Sequence, residues 1–136
     1  MSATDRPFFD TNVLVYLLSD DAHKADRAET LLSGGGIVSV QVLNEFAAVS
    51  RRKLRLAWPE IREILATIRA VTRVEPLTLA MHEAGLELCA RYDFALYDSM
   101  IVAAALQAHC TLLYSEDMQD GHVIETLTIR NPFREA

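Results

Sequence analysis

Cysteine is scarce. Cys89 and Cys110 are the only two in 136 residues, both in helix-like apolar surroundings, and such a pair does not make a disulfide framework. Histidine is nearly as sparse: His23, His82, His109 and His122 lie without Cys or His partners at ligand spacing. That argues against a zinc site and leaves them as surface or packing residues. Five glycines and four prolines leave no linker or low-complexity tract, and no repeat is visible. Long apolar runs are missing too. The longest uncharged one, MIVAAAL, is far too short to span a bilayer. The start MSATDRPFF lacks a basic segment followed by an apolar core, so no secretory signal is expected and the cytoplasm is the natural compartment. Positive charge is the scarcer sign, 13 Lys and Arg against 19 Asp and Glu, net −6. A protein that simply coats nucleic acid carries a cationic excess. An enzyme acting on nucleic acid stays open, because acids gathered around metal ions dominate the formal count while those ions reverse the local field.

What the chain does have is apolar residues, 51% of the total. A domain of this length buries roughly 70% of the surface its unfolded chain exposes, so one domain over 1–136 needs no metal or disulfide to hold it. PFFD reads as a short strand ending in an acid, and TNVLVYLL after it has helical spacing with Thr11 or Asn12 as cap. A helix from about His23 to Leu32 closes at Gly34, Gly35 and Gly36, and Ile37 and Val38 form a second strand. A third helix runs from about Val40 to Lys53. Pro59 opens a fourth, with Ile61, Ile64, Leu65, Ile68 and Val71 as its apolar stripe. A brief strand at Arg73 to Glu75 precedes helices from about Thr78 to Arg91 and Tyr97 to His109, then the strands TLLYS and TLTIR. Short strands alternating with helices predict an α/β fold, a three-layer α/β/α arrangement around a mainly parallel sheet. Function in such sheets collects at the carboxyl ends of the strands.

Four acids stand where that rule places a site. Asp10 ends the first strand. Glu45 falls on or beside the stripe Val42, Phe46 and Val49 of the third helix, where a carboxylate is costly to bury without partners. Asp98 shares a helical face with Ile101, Val102 and Ala105, and Asp117 lies just beyond TLLYS. Helix capping is the alternative role for Asp10 and Asp98, and a solvated edge for Glu45. If the four converge ionised about 6 Å apart, their six pairs cost on the order of 15 kcal/mol at an effective dielectric of ~20, more than a typical domain's stability. Protonation or a divalent cation relieves that repulsion, and hard oxygen ligands favour magnesium or manganese.

FFDTNVLVYL, SVQVLNEF, YDSMIVAAAL and LLYSEDMQDG, in that order, resemble the PIN-domain family, and most of all the VapC-type ribonuclease toxins of type II toxin–antitoxin pairs. The resemblance covers about Pro7 to Phe133. It implies magnesium- or manganese-dependent endonucleolytic hydrolysis of RNA, with Asp10 and Asp98 as principal metal ligands and Glu45 and Asp117 completing the site. Asn12 and Ser115 would orient carboxylates or waters. It further implies a homodimer and a small antitoxin whose C-terminal segment lies in a groove near the first helices and the fourth, placing a basic residue in the acidic site. Asp120 and Glu116 fall outside the quartet, and Asp120 reads as part of a solvated turn, with a reach to a second metal as its alternative. Arg51, Arg52 and Lys53, in the run RRKLR, are the basic candidates for phosphate contact, against the plainer role of cations suited to a helix C-terminus.

Three other readings compete. A haloacid-dehalogenase-like phosphatase also sets an acid after its first strand, but wants a second Asp where this chain has Asn12. A PIN scaffold that binds RNA or protein without cutting would have no reason to keep mutually repelling acids. A flap- or DNA-directed nuclease would need insertions for which this chain lacks the length.

Overall fold

The computed structural model describes residues 6–134. Met1 to Asp5, the start of the segment read above for a signal, and the last two residues of the expected 1–136 domain lie outside the described residues. One six-stranded sheet forms the centre, in the order β3-β2-β1-β4-β6-β5. Its strands are β1 (Phe8–Phe9), β2 (Gly36–Ser39), β3 (Thr72–Glu75), β4 (Leu112–Tyr114), β5 (Val123–Ile124) and β6 (Leu127–Arg130). All pairings are parallel except β5 with β6. The helices are α1 (Thr11–Val15), α2 (Ala22–Ser33), α3 (Val40–Arg52), α4 (Trp58–Val71), α5 (Leu79–Tyr92) and α6 (Leu96–Gln107). Phe8 and Phe9 point to opposite sides of the sheet, as consecutive strand residues must. Both are fully buried, so helices cover both faces, as the alternation of elements predicts.

β1 is the strand where the chain turns back across the sheet. Its neighbours are β2 on one side and β4 on the other, with Phe8 in register with both Ile37 and Leu113. The crevice outside the carboxyl end of such a switch point is where ligands bind in open α/β sheets. Gly36 lets β2 approach β1 closely, since a Cβ there would run into the Phe9 ring and the Pro7 carbonyl. On the other side, α6 is buried all round from Ser99 to Ala105, the mark of a helix running through the core.

Several local expectations are corrected. The TNVLVYLL helix is α-helical only to Val15 and continues as a 3-10 turn over Tyr16–Leu18, the tightening common at helix ends. Its cap is Asp10, whose side chain accepts from the Thr11 N–H, rather than Thr11 or Asn12. Helix α6 begins from Ala95, leaving Asp98 inside the first turn with no capping role. Val49 and Val71 are not buried; Ser50 takes the inward position on α3, and Ile61 and Ile68 carry the α4 stripe. Strand β5 was not foreseen. It joins β6 through Glu125 and Thr126, with Glu125 at φ 55°, a two-residue hairpin without the Asn-Gly or Asp-Gly signature that marks one in sequence.

Candidate active site

Asp10, Glu45, Asp98 and Asp117 line one open cleft of about 950 Å³, together with Glu116, Asn12, Gln41, Arg52 and Lys53. The topology brings them there from four places: the end of β1, the middle of α3, the first turn of α6 and the loop after β4. Asp10 is the innermost, only 4% exposed. One oxygen caps α1 through the Thr11 N–H at 2.7 Å. The other accepts from the Ser115 hydroxyl at 2.7 Å and the Asn12 amide at 3.1 Å. Capping and site membership are therefore two jobs of one carboxylate, done by different oxygens.

Glu45 and Asp117 are held by neutral donors. Asn12 Nδ2 also donates to Asp117 at 3.2 Å, so Asp10 and Asp117 share one amide, while Asn12 Oδ1 accepts the Glu116 backbone N–H at 2.9 Å. Ser115 Oγ in turn receives the Met118 N–H at 3.2 Å, fixing the loop. Glu45 accepts from the Thr11 hydroxyl at 2.8 Å and from Gln41 Nε2 at 3.0 Å. Gln41 Nε2 also donates to the Tyr97 carbonyl at 3.2 Å, tying α3 to the start of α6 beside Asp98. Asn12 and Ser115 thus stand where they can orient carboxylates. Thr11 and Gln41 do the same for Glu45 and were not foreseen in that role; the i, i+4 spacing of Gln41 to Glu45 was the available signal.

Burial, more than mutual repulsion, sets the electrostatics. Desolvation pushes Asp10 up to about 6, against the lowering effect of the Ser115 and Thr11 hydrogen bonds and with smaller contributions from Asp98 and Glu45. Asp98 is raised as well, by desolvation first and then by Asp117 and Glu45. The repulsion expected between the acids is present but ranks below desolvation at both Asp10 and Asp98.

The donor chemistry suits a hard divalent cation: carboxylate, amide and hydroxyl oxygens without His or Cys. Among the described residues no group of three or more His, Cys, Asp or Glu is arranged to enclose an ion. Magnesium does not require one, because it keeps several waters and is usually bound through one or two carboxylates.

The other candidates separate. Arg52 and Lys53 line the cleft. Arg51 is turned away from it, donating to the Leu56 carbonyl at 3.0 Å with its guanidinium 5.2 Å from the Trp58 ring centre. Asp120 lies outside the cleft, accepting from the Asn131 N–H at 2.8 Å and from Arg134 at 3.1 Å, which pull its carboxyl below the usual range. Glu116 lines the cleft but is paired with Lys24 at 3.1 Å.

The PIN domain family model matches residues 8–119. The chain belongs to the PIN domain family. Among solved structures, this PIN domain is similar to a Klebsiella pneumoniae toxin–antitoxin complex, with 17% identity over 95% of this chain and 99% of that one and a TM-score of 0.72. It is similar to Mycobacterium tuberculosis VapC20, a sarcin-ricin loop cleaving toxin, with 22% identity over 82% and 89% and a TM-score of 0.66. A third is DNA-bound VapBC from Salmonella typhimurium, with 14% identity over 94% and 98% and a TM-score of 0.69. Comparison with curated proteins returns no match. At such identities the likeness to the solved structures establishes the fold.

Proposed function

We propose that this PIN domain is a divalent-metal-dependent endoribonuclease, the toxin of a type II toxin–antitoxin pair. The observation that carries the proposal is an oxygen-only acidic cleft at the carboxyl ends of β1 and β4 of a PIN fold. Support comes from relatives that are a sarcin-ricin loop cleaving toxin and toxin–antitoxin complexes. Asp10 and Asp98 are the principal ligands for magnesium or manganese, and Glu45 and Asp117 complete the site. A bound divalent ion lowers the pKa of water and stabilises charge on a phosphate being cleaved. Asn12, Ser115, Thr11 and Gln41 hold the carboxylates of Asp10, Glu45 and Asp117 by hydrogen bonds, which leaves less reorganisation for the reaction itself. Arg52 and Lys53 take RNA phosphates along one wall.

Partners follow from the same reading. A basic side chain from an antitoxin segment placed in the cleft would neutralise the acids and exclude substrate. Leu77, Leu79 and Tyr97, each at least half exposed, offer apolar surface for a second copy. Among the described residues no helix is long and apolar enough to cross a membrane, and the working place of an RNA-cutting toxin is the cytoplasm.

The test is cleavage of RNA by purified protein freed of any inhibitor. Magnesium or manganese should switch it on, leaving 5′-phosphate and 3′-hydroxyl ends. Undiminished activity in chelator would overturn metal dependence, and no cleavage with either ion would favour a binding scaffold. The phosphatase alternative has lost its ground with membership of the PIN family.

A further inference from the structure

Glu116 is a fifth acid in the cleft, and the proposed chemistry has no use for it. Both of its oxygens are already occupied. Lys24, on α2 and 92 positions earlier in the chain, donates to Oε2 at 3.1 Å, and the Tyr16 hydroxyl donates to Oε1. Lys24 Nζ also donates to the Tyr16 hydroxyl at 3.0 Å. The ammonium stands 4.5 Å from the Tyr16 ring centre and 5.7 Å from that of Phe133, both within cation–π range. Those rings meet edge to face at 4.5 Å. The Arg27 Nε–H to Pro132 carbonyl bond, 3.0 Å, closes the same corner.

This corner is joined to the acids through Glu116 itself. Its backbone N–H is bonded to Asn12 Oδ1, and Asn12 Nδ2 is the donor shared by Asp10 and Asp117. An unpaired Glu116 would add negative charge to a cleft already crowded with it and would release the loop that carries Asp117. We propose that Lys24 is a positioning residue of the cleft, holding Glu116 out of the metal-binding quartet and thereby fixing Asn12, Asp10 and Asp117 in register. The pairing is only partly buried, so its effect is on placement more than on global stability.

The inference rests on the nuclease reading for its activity and manganese arms, and not for its exchange arm. The full chain is compared with Lys24→Met, Lys24→Arg and Lys24→Met/Glu116→Gln by RNA cleavage, by calorimetric titration with manganese and by hydrogen exchange at the Glu116 amide. In Lys24→Met, kcat falls about tenfold, manganese binds more tightly because a free carboxylate has joined the cleft, and the Glu116 amide loses protection. Lys24→Arg keeps most of the activity. Adding Glu116→Gln to Lys24→Met returns manganese affinity and most of kcat toward the starting protein, which a merely structural role of Lys24 in docking α2 would not allow. The proposal is overturned if Lys24→Met leaves all three readouts unchanged, or if the double variant is no better than the single one. Should the unaltered protein neither bind manganese nor cleave RNA, the nuclease reading falls, and exchange at the Glu116 amide still decides the role of Lys24.

Discussion

Asp10 and Asp120 are both aspartates that accept a backbone N–H, one at the end of β1 and one in the turn before β5, yet their carboxyls are displaced in opposite directions. Asp120 accepts the Asn131 N–H and, outside the core, a bond from the Arg134 guanidinium, so its charged form is favoured. Asp10 is walled in by the core, receives only neutral donors and faces other acids, so its charged form is penalised. The difference lies in what surrounds each acid. A turn neutralises its charge with what the chain supplies, whereas the cleft leaves negative charge unbalanced, and that imbalance is what a cation from solution can satisfy.

Neutralising each acid by itself should separate the cleft from the turn most sharply. Asp10→Asn or Asp98→Asn should lower RNA cleavage by about a thousandfold or more, with the fold intact by circular dichroism, while Asp120→Asn leaves cleavage unchanged. An Asp10→Asn protein that still cuts would remove the distinction between cleft and turn. Next in size is a stability effect. Asp10 rises from 3.8 to about 6 on folding, so between those values the unfolded chain has released a proton that the folded protein still holds, and stability falls as pH rises. Above about 6 the full cost, about 3 kcal/mol, is present in metal-free protein. Urea unfolding in chelator should therefore show Asp10→Asn gaining on the unaltered protein from pH about 4 to about 6 and level thereafter; a constant difference across that range would contradict the assignment. Manganese should reverse the ranking at neutral pH, because only the protein with the carboxylate is stabilised by binding.

A smaller contrast lies within the basic run. Arg52→Ala or Lys53→Ala should weaken RNA binding and each reduce the salt slope by about one, whereas Arg51→Ala should act through loss of its Trp58 and Leu56 contacts and leave the slope alone. The smallest effect belongs to Asp120. Its lowered pKa gives stability present above the unfolded value and lost as the solution is acidified. Asp120→Asn should therefore lower Tm slightly at neutral pH and not in strong acid.

The same contrast explains what could be read from the chain. Glu45 beside Val42 and Phe46 was legible because its residue type contradicts its place in the helix pattern, and Asp10 because it ends a strand of buried phenylalanines. The main helices, and the three-layer arrangement, followed from periodicity. Asp120 could be set apart as a turn residue by its neighbours, although its partner Arg134 could not be named. What stayed hidden depends on phase and distance. Consecutive helix residues point about 100° apart, so the run RRKLR does not disclose that Arg52 and Lys53 face the cleft and Arg51 does not. Lys24 and Glu116 meet only because of the fold. Strand β5 has two residues, too few for any alternation to register.

The burial of α6 on every side has a consequence for how the protein fails on heating. Asp98 is anchored to a helix whose next seven residues are core, so it cannot be displaced by a local opening that spares the rest. Its amide neighbours on α6 should be among the slowest to exchange with solvent, and thermal inactivation should track the cooperative melting of the whole domain instead of preceding it.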